Sequence, residues 1–141
     1  MRQTTYQTHS VQETEALGES LACVLAQAPA VALYGGLGMG KTAFVRGLAR
    51  GLGSHAQVSS PTFAIVNEYE GPRRICHFDM YRLPDAEALF DIGWEDYLAS
   101  GALCVAEWSE NVEGAFPQGT AEVIIRRLDD ADGREITVKL C

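Results

Sequence analysis

Residues 35–42, GGLGMGKT, match G-x-x-x-x-G-K-[ST] in full, with the apolar run AVALY before them and a helical pattern after them. No other stretch restricts the fold as much. The pattern has a mechanical meaning only where a buried strand delivers the chain to a loop and a helix starts at the lysine. The loop's backbone N–H groups then turn inward, and the helix points its positive end at the same place. At average residue frequencies such a match arises by chance about once in two hundred chains of this length. A plain glycine-rich turn would account for Gly35, Gly36 and Gly38, but not for Lys41 followed by Thr42. The chain has only two lysines, Lys41 and Lys139, so the one in the motif was not drawn from a lysine-rich surface. The stretch therefore reads as a phosphate-binding loop. Gly35, Leu37, Gly38, Met39 and Gly40 supply the backbone cradle, Lys41 neutralises phosphate charge, and the Thr42 hydroxyl binds Mg²⁺. Lys41 is expected to be exposed in the empty protein.

The flanking sequence supplies the rest of an α/β fold. A short strand at residues 4–8 precedes Ser10 and Glu13, which stand at capping-box spacing before the helical series Leu17, Leu21, Val24 and Leu25. AVALY is a buried strand, and Phe44, Val45, Leu48 and Leu52 return to helical period. A polar, Pro-bearing connection then leads to AIVNEYE and RRICHFDMYR, which read as a hairpin turning near Gly71 and Pro72. PDAEALFDIGWEDYLAS is helical in two pieces broken at Gly93. ALCVAEW is an apolar strand, SENVEGAFPQG a loop, and AEVIIRRL with REITVKL a final hairpin around an Asp-Gly turn. The pattern has no repeat or linker, so residues 1–141 form one domain. Its expected architecture is a three-layer P-loop NTPase-like fold with a mixed, mainly parallel central sheet and β-hairpins.

Charge and cysteine usage narrow the functions open to such a chain. A net charge of −8 with 11 Lys plus Arg argues against a broad grip on a nucleic-acid backbone, so any link to RNA is expected to be indirect. Cys23, Cys76, Cys104 and Cys141 lie far apart, which suggests neither a zinc site nor a disulfide framework but reduced, mostly buried thiols. The N-terminus has no apolar core of a signal peptide and no window reaches membrane-spanning length, which points to the cytosol.

Phosphoryl chemistry also needs acids that hold a metal and orient the attacking group. Glu107 ends the strand ALCVA, where a carboxylate at a parallel strand's C-terminal edge faces the ligand crevice. Asp79 follows ICHF. Either acid alone reads as a solvated strand-end charge; with the loop present, at least one serves Mg²⁺. Ser59, Ser60 and Thr62 around Pro61 read equally as a switch sensing the γ-phosphate or as a polar turn. Trp108 is a core aromatic or a neighbour of the site, and His77 a partly buried strand histidine. Arg82 is a phosphate-reaching cation or a surface ion-pair partner. Arg46 and Arg50 read as a solvated helix face.

Taken together, SVQETEALG, GGLGMGKT, VSSPTF, HFDMYRL, GWEDYL and VAEW, in this order and spacing, resemble the bacterial TsaE (YjeE) family over nearly the whole chain. The resemblance implies a P-loop ATPase of tRNA threonylcarbamoyladenosine biosynthesis. Such a protein turns over ATP with Mg²⁺ beside threonylcarbamoyl transferase proteins of TsaB and TsaD type, and reaches tRNA only through them. By motif, it implies that Lys41 and the loop amides hold the phosphates and that Thr42 and Glu107 hold Mg²⁺. Asp79 would position or activate the attacking water, Thr62 would belong to a switch, and Val11 and the pair Gly133 and Arg134 would lie near the adenine. One departure is that the family usually carries Asp after the first loop glycine. Gly36 stands there instead, which implies a looser empty loop with binding retained, since the phosphate contacts use backbone groups.

Three rival readings remain at this level. A GTPase is disfavoured because D-A-D-G at 130–133 sits in a hairpin turn and no N-K-x-D motif exists. A small-molecule kinase would need an arginine-bearing lid, for which only Arg82, Arg73 and Arg74 are at hand. A nucleotide-dependent scaffold would bind ATP without turning it over.

Overall fold

Order around residue 35 is as the motif demands, and the rest of the chain is arranged about it. The computed structural model describes residues 2–35, 40–58, 66–80, 83, 85–107, 109–129 and 131–140. The strands are β1 (Arg2–Thr8), β2 (Ala30–Tyr34), β3 (Val66–Tyr69), β4 (Ile75–Asp79), β5 (Leu103–Glu107), β6 (Ala121–Arg127) and β7 (Arg134–Leu140). Between them lie α1 (Val11–Ser20), α2 (Ala22–Leu25), α3 (Lys41–Gly51), α4 (Ala86–Asp91) and α5 (Trp94–Ala99), with a 3-10 segment at Ser109–Ala115. All seven strands join one sheet in the order β1-β7-β6-β2-β5-β4-β3.

The sheet is mixed, but it is not mainly parallel. Three pairings are parallel (β6 with β2, β2 with β5, β5 with β4) and three antiparallel (β1 with β7, β7 with β6, β4 with β3). Each hairpin contributes one antiparallel pairing, and β1 adds another by closing on the outer edge of β7. Only the central strands, connected through helices, run parallel.

Side chains alternate across the strands and divide the core in two. On one face Val31, Leu33, Leu103, Val105, Val123 and Ile125 meet Phe44, Val45 and Leu48 of α3 and Leu25 of α2. On the other, Cys76, Phe78, Cys104 and Ala106 meet Leu89, Trp94 and Val112. Each fully buried Phe or Leu here contributes about 1.5–3 kcal/mol of transfer free energy. Trp94 anchors the second layer: its ring stands edge-on to Phe78 with centroids 5.0 Å apart, and Nε1 donates to Ala115 O at 3.0 Å. No helix among the described residues is long and apolar enough to cross a membrane.

Local sequence explains most of the boundaries. Ser10 Oγ accepts from the Glu13 amide at 3.1 Å and caps α1, whereas the Glu13 carboxylate reaches back to the amide of His9 rather than that of Ser10. The helical series expected to run through Leu25 breaks at Leu21. There Ser20 Oγ donates to Leu17 O at 2.8 Å, the back-bonding that bends a helix. Gly93, at φ 92°, separates α4 from α5 as the sequence suggested. The stretch expected as a loop after Trp108 is instead largely 3-10, kinked at Val112. Burial of Val112 and Ala115 in the second core draws it in. At the N-terminus, β1 begins at Arg2 rather than Thr4, since its whole length pairs with β7.

Helices α1 and α3 approach backbone to backbone. A Cβ on Gly47 would lie 1.8 Å from Glu15 O, one on Gly18 2.4 Å from Phe44 O, and one on Gly51 2.6 Å from Glu19 O. Backbone cannot yield as a flexible side chain can. Gly47→Ala is therefore expected to force the helices apart and destabilise the protein by about 3 kcal/mol or more. Gly114→Ala, whose added Cβ meets nothing within 4 Å, is the control. Denaturant unfolding of both variants checks the difference.

Candidate functional site

Strand direction decides which residues share an end of the sheet. Strands β1, β2, β4, β5 and β6 all finish at one edge, and β7 starts there, because β1 and β6 both run antiparallel to β7 while β6, β2, β5 and β4 run parallel. This edge gathers Thr8, Gly35, Asp79, Glu107 and Arg134, and both α1 and α3 begin beside it. Nearly every described candidate from the sequence lies at this edge.

Gly35 leaves β2 and Lys41 opens α3. Gly40, the residue before α3, has φ 101° and ψ 14°, a left-handed conformation that favours glycine. It has no side chain with which to cap the helix. Lys41 is not exposed as expected: only 5% of its surface is accessible, and Nζ donates to Gly35 O at 2.8 Å. The ammonium folds back over the loop's own start, so a buried charge is held by a carbonyl dipole. Thr42 follows in the first turn of α3, half-buried.

Asp79 and Glu107 are register partners at the ends of β4 and β5. Both project to the face that carries Ile75, Leu103 and Val105, which is the α3 side of the sheet. Asp79 is half-buried, but Glu107 is only 5% exposed. Its burial is answered by His77, whose Nε2 is hydrogen-bonded to Glu107 Oε2. His77 is not partly but fully buried, and its Nδ1 lies 3.0 Å from the Tyr69 hydroxyl on β3. Sequence reasoning missed this Tyr69–His77–Glu107 chain. The only signal was two-residue spacing that puts His77 and Asp79 on one face of β4.

The opposite corner is built by β1, α1 and β7. Thr8 pairs with Arg134 in register, and its Oγ1 is 2.8 Å from Thr14 Oγ1, both hydroxyls being buried. Thr14 in turn approaches Gly40: its Cγ2 is 3.9 Å from where a Gly40 Cβ would stand. Val11 is 55% exposed at the head of α1, one of two large apolar side chains so exposed among the described residues. Arg134 donates to Ala131 O at 3.0 Å and Gly133 O at 2.8 Å, so its guanidinium braces the β6–β7 turn. Arg46 and Arg50 do not form a merely solvated face. Arg46 pairs with Glu15 at 3.1 Å and Arg50 with Glu19 at 2.8 Å, tying α3 to α1. The Glu19 carboxylate raises the Arg50 pKa above its ordinary value.

Leu37, Gly38, Met39 and Thr62 lie outside the described residues, as do Gly36, Ser59, Ser60, Pro61, Arg82 and Trp108. Of the cysteines described, Cys23 is exposed, while Cys76 and Cys104 are buried on adjacent strands. A hydrogen bond to Cys76 and burial push the Cys104 thiol up, so it stays protonated. A concavity of about 490 Å³ lined by Arg2, Val24, Gln27, Pro29 and Leu140 opens at the other end of the sheet. It carries no acid or histidine and lies away from every candidate residue.

The family profile described as "Threonylcarbamoyl adenosine biosynthesis protein TsaE" matches residues 8–136. The tRNA threonylcarbamoyladenosine biosynthesis protein TsaE of Treponema pallidum (strain Nichols) is 40% identical over 129 residues, covering 92% of this chain and 95% of its own. That of Bacillus subtilis (strain 168) is 37% identical over 138 residues, covering 97% and 85%. Among solved structures, Bacillus subtilis YdiB superposes with a TM-score of 0.81 at 33% identity, covering 99% of this chain and 86% of that one.

The corner next to Gly40 depends on one buried hydroxyl pair, which generates a test. Thr14→Val removes one hydroxyl and leaves that of Thr8 buried without its partner. The expected loss is about 1–3 kcal/mol. Thr8→Val added to it removes the orphaned group and is expected to recover part of that loss. Thermal or denaturant unfolding of the single and double variants reads both.

Proposed function

This chain belongs to the TsaE family of threonylcarbamoyl adenosine biosynthesis proteins, and from that premise we propose how it acts. It is a Mg²⁺-dependent ATPase on a three-layer P-loop NTPase-like fold. Its turnover supports threonylcarbamoyladenosine modification of tRNA together with transferase proteins of TsaB and TsaD type, through which alone it meets tRNA.

One observation carries the reading. The Lys41 ammonium and the N-terminus of α3, which opens on a glycine, lie at the same sheet edge and on the same face as Asp79 and Glu107. Cationic and N–H groups receive phosphates there, while two carboxylates stand ready for a cation and a water. Lys41 swings from the Gly35 carbonyl to the β- and γ-phosphates, exchanging a dipole for full negative charge. The backbone of Gly35, Leu37, Gly38, Met39 and Gly40 surrounds the same oxygens. Val11, Gly133 and Arg134 take the adenine; the exposed apolar surface of Val11 is an apt partner for a flat heterocycle.

The donor set suits Mg²⁺. Among the described residues no cluster of three His, Cys, Asp or Glu side chains could hold a soft metal. What is present is one buried carboxylate, Glu107, and one helix-start hydroxyl, Thr42. Mg²⁺ typically takes few protein oxygens and completes its shell from phosphates and water. When bound, it would supply positive charge against the β- and γ-phosphates. Asp79, beside Glu107 in register, orients the attacking water and accepts its proton as the γ-phosphate bond breaks, and Thr62 belongs to a switch that senses the γ-phosphate. The segment VSSPTF, residues 58–63, contains no arginine, and Arg134 donates to carbonyls of its own turn. Turnover is therefore slow alone and rises with partner proteins, as a positioned arginine can be worth about 10³–10⁵ in rate.

The two acids should fail differently. Glu107→Gln is expected to raise the Mg²⁺ concentration needed for nucleotide binding by at least about tenfold. Asp79→Asn should bind Mg²⁺-ATP normally and lose about 10²–10⁴ in kcat. The opposite pattern would remove these roles.

Lys41→Met keeps the buried stem and removes the charge. Its nucleotide-free melting temperature is expected to stay within a few degrees of the parent, while ATP affinity falls by about 100-fold. Undiminished affinity in a folded variant would falsify the phosphate-loop assignment. Phosphate release measured with and without TsaB- and TsaD-type proteins tests the ATPase reading itself. Brisk turnover of the lone chain, or tight ATP binding with none in either setting, would overturn it.

A further inference from the structure

We propose that His77 is a positioning residue for the Glu107 carboxylate, locked in one ring tautomer by Tyr69, and that this orientation sets how readily Glu107 receives the divalent cation. The inference rests on the metal role proposed above for Glu107.

The argument begins with register. Cys76 pairs with Cys104 and His77 with Val105, and both members of each pair face the same side of the sheet. Glu107 lies two residues beyond Val105, so it returns to the face of His77, and the ring reaches it diagonally across the strand boundary. Cys76 and Phe78, on the opposite face, cannot. Both ends of the contact are dry: His77 is fully buried and Glu107 nearly so.

For a neutral ring, donor and acceptor counting then fixes the tautomer. An ionised carboxylate only accepts hydrogen bonds, so the proton between His77 Nε2 and Glu107 Oε2 sits on Nε2. In a neutral imidazole Nδ1 is then an acceptor, and the Tyr69 hydroxyl donates to it at 3.0 Å. The reverse tautomer would set the lone pairs of Nε2 and Oε2 against each other in a buried site. Tyr69, His77 and Glu107 thus form a directional chain from β3 through β4 to β5. Its last link stops the terminal rotation of the carboxylate, which is otherwise broad. A ligand whose outer partner fixes its orientation binds metal about 10–100-fold better than one left loose, and the three residues have that relation.

The test has a readout that needs neither metal nor turnover. The chain has three histidines, His9, His55 and His77, so their ring ¹⁵N resonances can be assigned in the nucleotide-free protein. His77 is expected to show one form, protonated at Nε2 and bare at Nδ1. A mixture of tautomers, the Nδ1–H form or a doubly protonated ring would overturn the proposal. The second readout is the Mg²⁺ concentration giving half-maximal ATP binding. His77→Phe is expected to raise it by about tenfold or more. His77→Gln, which keeps an N–H donor near Nε2, should remain within about threefold of the parent, and Tyr69→Phe should fall between them. In a Glu107→Gln background His77→Phe should add nothing, since it acts through that carboxylate. Unchanged Mg²⁺ dependence in Tyr69→Phe and His77→Phe, with Glu107→Gln impaired, defeats this inference and leaves the metal role intact. Unchanged dependence in Glu107→Gln itself defeats the metal role. If His77→Phe does not fold, Tyr69→Phe and the tautomer measurement decide.

Discussion

Everything at the site depends on how closely α1 lies against α3. Three glycines remove the side chains that would hold the helices apart, and Glu15 and Glu19 then reach across to Arg46 and Arg50. The ion pairs are half-exposed and individually worth little. Their value is directional, since they act along a contact that backbone shape has already set. The consequence is geometric. Helix α3 begins at the loop lysine and α1 begins at Val11, so one rigid pair of helices carries both ends of the proposed nucleotide site. Thr8 and Thr14 extend this pair to the sheet, and Thr14 brings α1 to Gly40.

The sheet contributes the other half of the site by direction rather than by packing. Parallel pairing of β4, β5, β2 and β6 sends their C-terminal ends to one edge, and the β6–β7 hairpin brings Arg134 back to it. Alternation then places His77, Asp79 and Glu107 on the side facing α3. The half-antiparallel character of the sheet leaves this unchanged, because the antiparallel pairings lie on the two flanks, outside the parallel run β6-β2-β5-β4 that brings the loop and the acids to one edge.

Features set by neighbouring residues were legible in the sequence. The strand and helix that flank the loop, the Ser10 cap, the Gly93 break and both hairpins depend on contacts within a few positions. Asp79 and Glu107 were legible as candidates because each ends an apolar run. Other features required distant partners. Burial of Lys41 depends on a carbonyl six residues away, across a loop whose path no propensity gives. The pairing of Arg46 and Arg50 depends on α1, 31 positions earlier. Strand register between β4 and β5 makes His77 a partner of Glu107, and one sequence contains no statement of register. The 3-10 segment after β5 follows from Trp94, which pulls Val112 and Ala115 into a core that the local pattern SENVEGAFPQG does not announce.

Charge poses the remaining physical question: a chain of net charge −8 is proposed to bind a polyanion. Long-range attraction cannot be the means, and beyond about 8 Å salt screens what repulsion there is. Binding must therefore come from groups that act at contact. Lys41 is such a group: it is already stripped of most water and held at the loop, so little further desolvation is needed when phosphate replaces the Gly35 carbonyl. Glu107 is its counterpart, with much of its desolvation met in advance by His77. Among the described residues no ion pair joins the two, although they lie at the same sheet edge. Lys41 Nζ donates to the Gly35 carbonyl, and Glu107 is hydrogen-bonded to His77. Were they paired with each other, nucleotide and cation would first have to break a buried salt bridge, which is strongly unfavourable when only one side is replaced. With the two not paired to each other, a phosphate and a cation arriving together can take both charges without leaving either uncompensated.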